Sequence, residues 1–215
     1  MEIILPDGSK KILEEGATVY DVAASIGTSL AKAALAGKIN GELVDVTAQV
    51  TDGATIEIIT NKSPEALSIM RHSCAHIMAE AVQELFPGAQ IAFGPATDNG
   101  YFYDFELPKN ISSDDFAAIE KKMAQIVKRN EPFVREVVSV EEAKEIFADQ
   151  RFKLEHIDDL TEGEISVYRH GSFVDLCAGP HIPSAGKIGA FKMMKLAGAY
   201  WRGDASREQL QRLYG

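Results

Sequence analysis

Cysteine is scarce in this chain. Cys74 and Cys177 are the only two among 215 residues, too few for a disulfide framework. In a reducing compartment that leaves core thiols, metal ligands or catalytic groups as their roles. Long apolar runs are missing too: the longest windows, 22–26 and 30–35, fall far short of the ~20 residues a membrane span needs. The opening residues Met1-Glu2-Ile3-Ile4-Leu5-Pro6-Asp7-Gly8 have neither the basic start nor the apolar core of a secretory signal, so a cytoplasmic location is expected. Basic side chains are outnumbered, 22 against 32 acidic, for a net charge of −10. Such a balance argues at first against nucleic acid. What is plentiful is apolar content, 46%, enough for a globular core in one or two domains and too much for a disordered tail.

The charge is unevenly spread. Residues 1–61 carry 4 basic and 9 acidic side chains, and residues 62–182 carry 12 and 21. The tail from 183 reverses the sign, with Lys187, Lys192, Lys195, Arg202, Arg207 and Arg212 against only 2 acidic residues. Screening makes distant charges matter little at physiological salt, so a basic end on an acidic body can still hold phosphates.

The first 61 residues look self-contained. Glu2–Leu5 and Lys10–Leu13 read as strands around the turn Pro6-Asp7-Gly8-Ser9, and Asp-Gly between apolar runs is a hairpin signal. Thr18 is placed to cap a helix over 19–26, where Val19, Val22, Ala23 and Ile26 recur at helical spacing and Gly27 ends the run. Segments 33–35, 42–45 and 54–60 read as further strands. This order predicts a β-grasp, ubiquitin-like module. Asn61-Lys62-Ser63-Pro64 marks the boundary to a second domain over 62–215, because Ser63 and Pro64 suit a helix start.

The helix that follows should run to about Phe86, with a stripe of Leu67, Met70, Cys74, Ile77, Met78, Ala81, Val82 and Leu85. His72 and His76 fall about 160° from Cys74, at 100° per residue, and so off that stripe. An aromatic hairpin over 90–105, a helix over 113–130, a strand over 133–138, a capping box at Ser139–Glu142 and a strand pair over 165–176 come next. Strands at 190–195 and 199–202 follow, and Ser206–Tyr214 is read as the start of a helix. The whole is expected to be α+β, with helices flanking a sheet.

Only five histidines occur, yet two form His72-x-x-x-His76 on one helical face. A third lies in Asp175-Leu176-Cys177-Ala178-Gly179-Pro180-His181. Imidazole and thiolate are the usual ligands of zinc, so His72, His76, Cys177 and His181 read as a metal-like tetrad. The bland alternative is hydrogen-bonded surface histidines with a structural thiol. Cys74 fits best as a small buried residue.

The run Arg71–His76, Gly94-Pro95, Asp98–Asp104, Asp175–His181 and Leu196–Asp204, taken in that order, resembles the N-terminal part of bacterial threonyl-tRNA synthetases. Leu5–Ser9 and the β-grasp pattern resemble their TGS domain. The resemblance covers essentially the whole chain, and alanyl-tRNA synthetase editing domains share its His/His and Cys/His pattern. It implies a post-transfer editing site that hydrolyses the ester of mischarged seryl-tRNA(Thr). Serine lacks one methyl of threonine, and a missing methylene is worth only about 1–3 kcal/mol of discrimination. By resemblance, His72, His76, Lys153, Cys177 and His181 are catalytic, with His72 or Lys153 as water activator, and Tyr103 and Asp175 bind substrate. Lys187, Lys192, Lys195 and Arg202 are the candidate tRNA contacts on the acceptor arm. No cofactor is expected to be required for editing, although zinc at the tetrad is the competing reading. ATP and zinc would belong to a class II catalytic core for which this chain has no candidate. The resemblance therefore implies a fragment that deacylates but does not aminoacylate, a monomer by itself and part of a homodimer in the whole enzyme. The rival class of function is a binding module without catalysis, and a third is a zinc hydrolase of another small ester or amide.

Overall fold

The computed structural model describes residues 1–160 and 165–215. Its contacts divide the chain into two compact units, Met1–Met70 with Gly179–Pro183, and Arg71–Ala178 with Ser184–Gly215.

The first unit builds its core from short elements. Strands β1 (Glu2–Ile4) and β2 (Lys10–Ile12) form the expected hairpin, with Gly8 in its turn at a φ of 82°, a value that glycine adopts without steric cost. Helix α1 (Val19–Ile26) opens with a capping box between Thr18 and Asp21, which satisfies two backbone donors reciprocally. A second short helix, α2 (Thr28–Ala33), follows directly. Strands β3 (Ala34–Ile39), β4 (Glu42–Val44) and β5 (Ile56–Thr60) make an antiparallel sheet in the order β4-β3-β5. A parallel bridge from Ile4 to Thr55 ties the hairpin to the approach to β5. Ile3, Val19, Val22, Val50, Ala54 and Ile56 close the core between them. This is the β-grasp arrangement expected from the sequence.

The second unit is organised around α3 (Ala66–Leu85), whose first turn groups with the first unit. From Ser73 to Val82 every residue of α3 is buried, so the helix is enclosed on both faces. The sequence stripe holds at Cys74, Ile77, Met78, Ala81 and Val82, whereas Leu67, in that first turn, is exposed. Strands β6 (Gln90–Ile91), β7 (Ala96–Thr97) and β8 (Gly100–Glu106) are the aromatic hairpin region. Helix α4 (Phe116–Arg129) and strand β9 (Phe133–Val138) lie where expected. So does α5 (Val140–Ile146), with its Ser139–Glu142 capping box. Helix α6 (Arg151–Asp159) was not foreseen. Strands β10 (Ile165–His170) and β11 (Phe173–Leu176) pair around Gly171, and β9-β10-β11 form one antiparallel sheet. Strands β12 (Lys195–Tyr200) and β13 (Gln209–Tyr214) complete a larger sheet in the order β12-β13-β8-β6, with β7 beside β8. The architecture is α+β throughout.

Two local expectations fail. Ser206–Tyr214 does not start a helix: Gln209–Tyr214 is β13, hydrogen-bonded to β12 on one side and β8 on the other. Leu210 and Leu213 stand at helical spacing, but as residues of a central strand covered on both faces they are both buried, and strand pairing on two edges overrides propensity. The two strands placed at 190–195 and 199–202 are a single strand, β12, over Lys195–Tyr200, and Trp201–Gly203 is a 3-10 turn.

Candidate active site

Helix α3 presents His72 and His76 one turn apart, their rings edge to face with centroids 5.0 Å apart. His72 Nε2 lies 3.0 Å from Cys177 Sγ. Cys177 is held just past the end of β11 by its neighbour across the sheet: its N–H donates to the Ser166 carbonyl at 3.2 Å, and its carbonyl accepts from Ser166 Oγ at 2.6 Å.

Behind these groups stands a closed triangle of buried polar side chains. Lys153 on α6 donates to the Tyr103 hydroxyl at 3.1 Å, and that hydroxyl donates to Asp175 Oδ2 at 2.6 Å. Lys153 Nζ approaches Asp175 Oδ1 at 2.6 Å as an ion pair. His76 Nε2 is 3.5 Å from Asp175 Oδ2. Lys153 is wholly buried at 0% exposure, and its ammonium also sits 4.3 Å from the centre of the Phe93 ring, a cation–π contact strengthened by desolvation. A charge this deep costs several kcal/mol unless it is paired and hydrogen-bonded, so the triangle is what makes its burial tolerable.

A cavity of about 520 Å³ opens in front, lined by His72, His76, Phe93, Gly94, Tyr103, His156, Asp175 and Cys177 among others. Lys153 stands behind that lining. Gly94 is there because nothing larger fits: a Cβ on it would meet Tyr103 Cδ2 at 2.2 Å and the Phe102 carbonyl oxygen at 2.3 Å.

Burial sets the protonation of the site. It pulls the His72 imidazole below its ordinary value, with the Asp175 carboxylate opposing. His76 is pulled well below, by burial first and then by His72, Lys153 and His170. Both rings are therefore neutral near pH 7 and can accept a proton. The Tyr103 hydroxyl is pushed well up by burial and by Asp175, and so stays a donor. Cys74 is pushed up to about 11 by burial and donates to the Tyr101 hydroxyl at 3.2 Å, which makes it an inert core thiol.

Six of the sequence-derived site residues thus converge: His72, His76, Tyr103, Lys153, Asp175 and Cys177. His181 belongs to the stretch 179–183 grouped with the first unit, where it is buried and its N–H donates to Asp45 at 2.9 Å. The basic residues of the tail do not join the cavity lining. Lys192 pairs with Glu120 at 3.0 Å, and Arg202 pairs with Asp159 and Glu155. Lys195 lies 4.6 Å from the Tyr214 ring centre, and Lys187 ends a 3-10 turn. Sequence reasoning missed Phe93 and His156 as wall residues. His156 was out of reach with α6 unforeseen, while Phe93 stood beside the Gly94-Pro95 pair already noted.

Residues 1–60 match the TGS domain family. Residues 165–214 match the threonyl and alanyl tRNA synthetase second additional domain. Along its full length the chain is 49% identical to a threonine–tRNA ligase of Pelobacter propionicus and 51% identical to one of Burkholderia multivorans. Over 99% of its length it is 50% identical to one of Marinobacter nauticus. The chain is thus similar over its whole length to part of these threonine–tRNA ligases. It spans 34% of the length of each of these relatives, so the similarity concerns about a third of such a protein. Its TGS domain is the β-grasp unit, and β10 to β13 lie in the second additional domain. Among the described residues no helix is long and apolar enough to cross a membrane.

Proposed function

We propose that the second unit is a post-transfer editing site that hydrolyses the ester of seryl-tRNA(Thr) and spares threonyl-tRNA(Thr), in the cytoplasm. The observation that supports this most is a neutral imidazole, His72, on the wall of a cavity, backed by a buried Lys153–Tyr103–Asp175 triangle. His72 accepts a proton from water as the water oxygen bonds to the ester carbonyl carbon. As the tetrahedral intermediate collapses, the bond to the ribose oxygen breaks and that oxygen takes the proton back from His72. Lys153, behind the wall and engaged with two partners, is then a positioning residue, not the water activator. Asp175 has both oxygens occupied by Lys153 and Tyr103 and faces His76, which favours orienting the histidine over holding the serine amino group. His181, four residues beyond Cys177, joins the set by family resemblance.

His72, His76 and Cys177 each offer a ligand atom, all within 4.8 Å of one another. Nitrogen and sulfur donors at that spacing fit zinc after small shifts, and bound there it would supply a Lewis acid. Two neutral imidazoles beside a cavity already provide a base, so hydrolysis is expected without a metal. Discrimination against threonine then comes from steric exclusion of its extra methyl from the cavity, the size test that a synthetic site limited to about 1–3 kcal/mol cannot apply. The acceptor arm of tRNA(Thr) is the proposed partner, read through backbone and shape because an A-form helix hides its major groove. Lys187, Lys192, Lys195 and Arg202 are its candidate phosphate contacts; the acidic partners of Lys192 and Arg202 make that contact weak and salt-sensitive. Ligation of threonine with ATP is assigned to the remainder of the longer protein, which would dimerise, while this chain alone would be monomeric.

Single-turnover hydrolysis of seryl-tRNA(Thr) by the wild type and by His72→Ala tests the reading. Removal of a general base is expected to slow release by 10²–10⁴-fold with the melting temperature little changed. Equal rates would leave His72 without this role.

A further inference from the structure

A second cluster of metal-type ligands lies outside the cavity lining. Glu80 on α3, Glu131 just after α4 and His170 at the end of β10 each offer one ligand atom, and these atoms all lie within 4.8 Å of one another. Glu80 and His170 are almost wholly buried, at 2% and 1% exposure. His170 Nδ1 is 2.6 Å from Glu80 Oε2. In the tautomer that donates Nδ1–H to the carboxylate, Nε2 carries the lone pair, and Nε2 is buried without a hydrogen-bond partner among the described residues. Glu131 Oε2 is likewise buried and unpartnered. A carboxylate fixing one ring nitrogen while the other stays open is how proteins orient a metal-ligating imidazole.

The local charge is unbalanced. Arg129 gives its guanidinium to Glu84 through two contacts of 2.7 and 3.1 Å and also donates to Glu80 Oε1 at 3.3 Å. Lys122 also goes to Glu84, at 2.9 Å. Both oxygens of Glu80 are thus engaged, whereas Glu131 Oε2 has no hydrogen-bond partner among the described residues. Buried carboxylates are tolerated when paired or when they coordinate metal. Gly171, at a φ of 56°, leaves the space: a Cβ there would stand 2.6 Å from Glu131 Oε2.

We propose that Glu131 and His170 Nε2 bind a divalent cation, with Glu80 orienting the imidazole through Nδ1, at a site outside the lining of the hydrolytic cavity. A carboxylate and an imidazole, without thiolate, favour the harder first-row ions, with manganese as the discriminating probe. The set at His72, His76 and Cys177 has softer donors and serves as the internal contrast.

The test is Mn²⁺ titration of the full chain followed by electron paramagnetic resonance of free Mn²⁺, with wild type, Glu131→Gln and Cys177→Ala. Glu131→Gln keeps the shape of the half-buried side chain and removes one ligand charge; thermal melting checks that each variant folds. One Mn²⁺ per chain in the wild type and in Cys177→Ala, with affinity at least tenfold weaker in Glu131→Gln, is expected. No binding to millimolar Mn²⁺, or binding that Glu131→Gln leaves unchanged, would overturn the proposal. If Glu131→Gln does not fold, Glu80→Gln carries the same expectation.

Discussion

Replacing Lys153 by Met tests the buried triangle most severely. Methionine keeps much of the length of the side chain and loses the charge. The substitution removes the 2.6 Å ion pair with Asp175, the 3.1 Å hydrogen bond to the Tyr103 hydroxyl and the ammonium against Phe93. Asp175, at 1% exposure, is left with a charge and no cation. Breaking one partner out of a buried pair costs about 3–5 kcal/mol, a large share of the roughly 5–15 kcal/mol that holds a domain folded. The corresponding exposed pair would cost only about 0–1 kcal/mol. Urea denaturation of Lys153→Met, Asp175→Asn and the double variant reads the difference, and the cycle isolates the coupling. The double variant is expected to be more stable than the sum of the singles by about 2 kcal/mol or more, within the range seen for directly coupled residues. A loss below about 1 kcal/mol in Lys153→Met would refute the view that this ion pair is a buried structural unit.

Other outcomes follow from the same geometry. Because burial holds His72 and His76 below the ordinary imidazole range, the acid limb of the deacylation rate should lie below pH 6.5; a limb above it contradicts a neutral His72. The same shifts act on stability: below pH 6.5 the unfolded chain binds protons that the folded histidines refuse, so stability falls as pH drops, by about 1.4 kcal/mol per pH unit for each histidine until its folded value is reached. Denaturation midpoints between pH 7 and pH 5 measure this. Gly94→Ala forces a Cβ against Tyr103 and the Phe102 carbonyl and should destabilise by about 1–3 kcal/mol, with slower hydrolysis as Tyr103 shifts; an unchanged melting temperature would show that the wall yields freely.

Much of this was legible in the sequence because local chemistry and tertiary role agreed. Asp7-Gly8, Thr18 with Asp21, and Ser139 with Glu142 carry their turn and cap signals in adjacent residues, and all three form. His72 and His76 could be placed off the apolar stripe by angle alone. Lys153 could not: a lone lysine in a polar stretch reads as solvated, and only Tyr103 and Asp175, 50 residues before it and 22 after, make it buried. Strand β13 failed for the converse reason, since Glu208 to Leu213 are good helix formers whose fate is decided by β8 and β12. Glu80 and His170, 90 residues apart, gave no sequence signal of their meeting.

The central claim is hydrolysis with serine selectivity. Single-turnover deacylation of seryl-tRNA(Thr) beside threonyl-tRNA(Thr) by the wild-type chain, with and without prior chelation, tests it most directly. Fast serine release, threonine spared and no effect of chelator are expected. Release of serine no faster than its spontaneous rate, or equal release of both amino acids, would contradict it.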